Sequence, residues 1–137
     1  MTITTTSYGF GTRVPWAQDE AIERIMTALK EEGFGILTTI DVQQTLKEKL
    51  GLDTNPYVIL GACNPQLAHR ALEAEPEIGL LLPCNVIVYQ VDDGTTVAIM
   101  DPAAALRLAG NPTVEPIALE AKTRLERALQ RLVEASA

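Results

Sequence analysis

Pro56-Tyr57-Val58-Ile59-Leu60-Gly61-Ala62-Cys63-Asn64-Pro65 is the stretch that decides how this chain folds. Both alternating sets of side chains are apolar, Tyr57 and Ile59 on one face and Val58, Leu60 and Ala62 on the other. That is the pattern of a strand in the middle of a sheet. Asn64-Pro65 then ends the strand and opens a helix. Asparagine supplies a capping oxygen, and proline fits the first helical turn, where its missing N–H has no partner to lose. Leu67, Ala68, Ala71 and Leu72 follow at helical spacing until Pro76 and Gly79 close the element.

Upstream the same punctuation recurs. Tyr8, Phe10, Thr12 and Val14 alternate with Gly9, Gly11 and Arg13, which predicts a strand with one nearly bare face. Pro15 fits the first turn of a helix whose stripe is Ile22, Ile25, Met26 and Leu29, stopped by Gly33. Phe34 to Thr39 reads as a second strand. Asp41, with Gln44 three residues on, forms a capping-box signature for a short helix with the stripe Val42, Leu46 and Leu50, ended by Gly51.

Downstream, Val86 to Val91 and Thr95 to Met100 are strands joined by Asp92-Asp93-Gly94, a pairing suited to a tight hairpin. Asp101-Pro102 caps a brief helix that Gly110 ends. From about Thr113 a last helix carries Ile117, Ala121, Leu125, Ala128 and Leu132 along one side.

Such an order predicts an α+β two-layer sandwich: a mixed, mostly antiparallel sheet of about five strands with helices packed on one face. A doubly wound parallel sheet is the alternative. Residues 1–6 are expected to be a frayed polar tail and residues 7–137 a single domain, since no composition break is long enough for a linker.

Composition narrows function. The chain has 137 residues, enough to bury roughly two-thirds of its unfolded surface without staples. Aromatic residues are only 4%, so the core must be built from aliphatic side chains. A net charge of −7 repels phosphate backbones and anionic membranes, which disfavours nucleic-acid binding. The most apolar run, Ile78 to Val91, is broken by Pro83 and Asn85 and falls short of a membrane span. With no secretory leader pattern at Met1 to Thr6, a cytoplasmic location is expected.

Reactive chemistry is confined to two Cys-Asn pairs, Cys63-Asn64 and Cys84-Asn85. Cys63 precedes a helix start, where free N–H groups and the positive dipole end can lower a thiol pKa. Its structural alternative is ordinary core packing, and the same holds for Cys84. Their spacing matches neither a Cys-x-x-Cys pair nor a zinc ribbon. His69, the sole histidine, lies off the apolar stripe, and Ser7 and Ser136 sit near the termini, so neither a metal set nor a serine-histidine-carboxylate arrangement is supported. No Gly-rich phosphate loop is present. The acid pair Glu31-Glu32 reads as a solvated helix end. Cys63 and Cys84 are therefore candidate catalytic residues, and Cys63, Asn64 and Asn85 candidate ligand contacts, with no metal or cofactor.

Glu32-Gly33-Phe34-Gly35, Asp41-Val42, Gly61-Ala62-Cys63-Asn64-Pro65 and the segment from Glu75-Pro76 through Gly79-Leu80-Leu81-Leu82-Pro83-Cys84-Asn85-Val86 together resemble the Domain of Unknown Function 302 family, over about residues 9 to 132. The resemblance implies a small mixed α/β domain of the prokaryotic cytosol that pairs as a homodimer, and it carries no established activity, cofactor or catalytic residue.

Two functions follow as expectations: a homodimeric binding or interaction module without catalysis, which accepts a small-molecule ligand, or a thiol-dependent redox sensor or weak enzyme using Cys63 and Cys84.

Overall fold

In the computed structural model, which describes residues 2–137, the strands are β1 (Thr4–Thr5), β2 (Gly9–Val14), β3 (Gly35–Asp41), β4 (Tyr57–Cys63), β5 (Cys84–Val91) and β6 (Gly94–Met100). The helices are α1 (Gln18–Glu31), α2 (Val42–Leu50), α3 (Pro65–Ala74), α4 (Pro102–Ala105) and α5 (Val114–Ser136), with 3-10 turns at Pro76–Leu81 and Leu106–Ala109. The strands form one sheet in the order β1-β2-β6-β5-β4-β3, and each of its five ladders is antiparallel. The expected α+β sandwich with helices on one side is what the chain adopts, with six strands where about five were counted.

The sixth strand lies in the segment expected to fray: Thr4 and Thr5 pair with Gly11 and Phe10. Threonine suits an extended edge, and Thr12 Oγ1 donates to the Thr2 carbonyl at 3.0 Å, which ties the arm down.

One face of the sheet supplies Phe10, Val14, Leu60, Ala62, Val86, Val88, Val97 and Ile99 to the core. Ala21, Ile25 and Leu29 of α1 and Ile117, Ala121, Leu125, Ala128 and Leu132 of α5 meet them, so α5 buries the stripe its sequence predicts. In α1 the stripe is shifted. Ala21 and Ala28 are buried while Met26 is exposed, and the helix begins at Gln18, after an uncapped Ala17. Helix α2 buries none of its residues, leaving Leu50 exposed.

Asp41, Asn64 and Asp101 each cap the helix they precede, accepting from Gln44 N, Leu67 N and Ala103 N at 2.9, 3.1 and 2.9 Å. Gln44 does not complete the reciprocal half of the box; its side chain donates to Glu48 instead.

Candidate functional site

Residue Ala62 of β4 lies opposite Cys84 of β5. Because the two strands run antiparallel, the end of one and the start of the other coincide, which brings Cys63-Asn64 and Cys84 to the same corner of the sheet. Helix α3 leaves this corner through Asn64, and α5 crosses it with Ile117 and Ala121. Between them lies a cavity of about 300 Å³. Cys63, Asn64 and Cys84 line it with Phe34, Leu67 and Pro83, together with Ala71 of α3 and Leu106 beyond α4.

Its walls are almost wholly apolar, and Asn64 is the one amide among them. That combination of apolar lining with a single fixed polar group is the usual build of a small-molecule site. A larger groove of about 910 Å³ between α1 and α5 is lined instead by Asp19, Glu20, Glu23, Glu31, Arg24 and Arg131, charged groups that water solvates well.

Asn64 is buried, at 7% exposure, and its Oδ1 holds the Leu67 N–H. Asn85 does not join the cavity. It alternates with buried Cys84 and Val86, so it faces the opposite side of the sheet, exposed.

The thiols are not activated. Burial pushes Cys63 above the usual value of 9.0. Cys84 is pushed up to about 11 by burial and, secondarily, by the nearness of Cys63. The helix end that was expected to lower Cys63 gives its Leu67 N–H to Asn64 Oδ1, and burial is the cause that shifts the Cys63 thiol. His69 is exposed and pairs with Glu73 at 2.7 Å on α3. Among the described residues no group of three His, Cys, Asp or Glu side chains is placed to hold a metal ion. No helix among them is long and apolar enough to cross a membrane.

Sequence reasoning missed Glu32. Rather than ending α1 in solvent it is 6% exposed and bonded by Arg127 and Arg131 of α5. Behind it Gly33, at φ +85°, turns the chain so that Phe34 N–H reaches Leu29 O at 2.9 Å and Gly33 N–H reaches Lys30 O at 3.0 Å. This double bond pattern is a Schellman stop, and it delivers Phe34 to the cavity wall. The signal was legible in hindsight: an acid just before the stopping glycine, and arginines four apart on α5.

The fold and cavity define a small two-layer α+β protein with an apolar corner site. The family described as Domain of unknown function DUF302 matches residues 10–132, and the chain belongs to that family. The chain is also similar to a solved structure, described as the crystal structure of uncharacterized conserved protein DUF302 from Bacillus stearothermophilus, with 36% identity and a TM-score of 0.85. That match covers 92% of this chain and 98% of the other. No curated protein matches the chain.

Proposed function

We propose that this protein is a homodimeric, cytoplasmic module that binds a small, largely apolar molecule and performs no catalysis. The observation that carries the reading is the convergence of Cys63, Asn64 and Cys84 on one apolar cavity. Free thiols raised by burial serve there as small polarizable packing groups, not as nucleophiles.

The sheet face opposite the core supports pairing with a second copy. Its rows Ile40–Ile59–Ile87–Ala98 and Tyr57–Tyr89–Thr96 are cross-strand neighbours without a carboxylate. In a chain of net charge −7, this face lets two copies approach without repulsion. Burying it in a two-fold contact removes apolar area that a monomer leaves in water.

A thiol-dependent redox sensor or weak enzyme is the second reading, favoured by the nearness of the two thiols and disfavoured by the burial that keeps both protonated.

The test is cavity filling. Ala68→Phe, at a half-buried wall position, should abolish the thermal stabilisation that small apolar compounds give the native protein, while leaving its circular dichroism intact. Stabilisation that survives the substitution sinks the assignment of the site.

A further inference from the structure

We infer that Leu37, carried out of the β3 ladder by a bulge, stands in the entrance of the corner cavity and governs the rate at which a ligand enters and leaves. The inference rests on the binding reading above and names the residue that controls access to that site.

The register of β3 on β4 is the starting point. Ile36 lies opposite Ala62 and Thr38 opposite Gly61, so two consecutive residues of β4 are matched by three of β3, and Leu37 is the extra one. A bulge of this kind leaves its extra residue without a cross-strand partner and re-aims the side chain. Gly61 fixes the ladder just beyond it. A Cβ there would run into Thr38 Oγ1 and lie 2.8 Å from Pro83 Cγ, so Thr38 and Pro83 close over β4 because no side chain intervenes.

Exposure then locates the mouth. Leu37 lines the cavity and is nevertheless 68% exposed, and Leu72 of α3 lines it at 41%. Ala62, Leu67, Ala71 and Cys84, on the same walls, are each 6% exposed or less. Apart from Gly79, which has no side chain, the two leucines are the exposed members of the lining. A side chain that faces both cavity and solvent lies at the opening, so the way in runs between Leu37 on β3 and Leu72 on α3. A largely apolar ligand thus meets an apolar rim before it meets the apolar walls. Leu37 also has freedom to move: β3 is the last strand of the sheet and pairs on one side only, so a swing of the bulged residue is opposed by no second ladder.

N-phenyl-1-naphthylamine, an uncharged fluorophore that brightens in apolar surroundings, is the probe, mixed with the full chain by stopped flow. Leu37→Ala widens the mouth and should raise the association and dissociation rate constants together by about tenfold, while their ratio, Kd, moves by less than about threefold. Leu37→Trp should slow both. Leu72→Ala acts from the other side of the mouth and should speed both, whereas Leu50→Ala, at an almost equally exposed leucine of α2, should change neither. All four replace exposed leucines, and an unchanged circular dichroism spectrum checks that each variant folds. Native rate constants in both Leu37 variants, or a change confined to dissociation, would overturn the entrance and leave the cavity standing with Leu37 as an ordinary wall. No saturable fluorescence with the native chain would overturn the cavity as a binding site, and the entrance with it.

Discussion

Glu32, at the end of α1, takes two hydrogen bonds on Oε2 from Arg131 of α5, at 3.1 Å from Nε and 3.0 Å from Nη2. Arg127 Nε donates to the other oxygen at 2.9 Å. Both lone-pair sets of a buried carboxylate are thus engaged by the last helix, and the two longest helices are locked at one end. Glu32→Gln should cost about 1–2 kcal/mol in urea unfolding near neutral pH, toward the low end for charged hydrogen bonds because both arginines are half exposed.

The same carboxylate sets an acid limit. Burial raises its pKa, but the hydrogen bonds and charges of Arg127 and Arg131 outweigh burial and hold it below the usual 4.5. A depressed folded value means the contribution is complete above the unfolded pKa and is lost as pH falls through the folded one. The stability gap between the native chain and Glu32→Gln should therefore be full at about pH 7 and shrink at about pH 3. A gap that stays constant over this range would remove Glu32 as the source.

Cap energetics at Asn64 separate folding from binding. Asn64→Ala strips the acceptor from the Leu67 N–H and should lower stability by about 0.5–2 kcal/mol, whereas Asn64→Asp should be nearly neutral. Equal denaturant midpoints for Asn64→Ala and the native chain would contradict the cap.

Thiol reactivity follows from burial. With Cys84 at about 11 and Cys63 also raised, both should alkylate more slowly than free cysteine at neutral pH, and Cys63, the less buried, should react first. Mass spectrometry of a timed iodoacetamide reaction reads both rates. Labelling of Cys63 faster than free cysteine would revive the activated-thiol reading.

Pairing of two copies has its own readout. Tyr57 and Tyr89 stack with ring centroids 5.2 Å apart on the face proposed to meet a second copy, and Ile87 lies between Ile59 and Ala98 in the next row. Ile87→Asp places a charge in the middle of that contact and should convert a dimer to a monomer by light scattering while preserving the helical signal. A native chain that is monomeric at micromolar concentration, or a variant that stays dimeric, would place the contact elsewhere or remove it.

The sequence disclosed what depends on local pattern. Strand β2 followed from alternation, β4 from two apolar faces, and β5 and β6 from the Asp92-Asp93-Gly94 turn between them, while Asp41, Asn64 and Asp101 were readable as caps because each is a polar side chain placed where a helix begins. Local pattern does not carry strand order, so the meeting of Cys63 with Cys84 had to wait for the β4–β5 ladder. Nor could two threonines announce β1, because so short a strand is fixed by its partner. Glu32 misled for a related reason: whether an acid at a helix end is solvated depends on which distant helix passes over it, and α5 brings Arg127 and Arg131 there from the far end of the chain.

The position of β2 between β1 and β6 bears on how the chain is made. On one side β2 meets the nearby β1, but on the other Phe10 and Val14 pair with Ile99 and Thr95 far along the chain, whereas the β3–β4, β4–β5 and β5–β6 ladders join strands consecutive in sequence. During synthesis β2 leaves the ribosome with its partner β6 still untranslated, while β3, β4 and β5 can assemble before β6 is complete. Closing that long loop is the entropically expensive step. Loop closure therefore places the β2–β6 ladder last among the sheet's ladders, and until it forms, β6 presents an open edge to any neighbouring nascent chain.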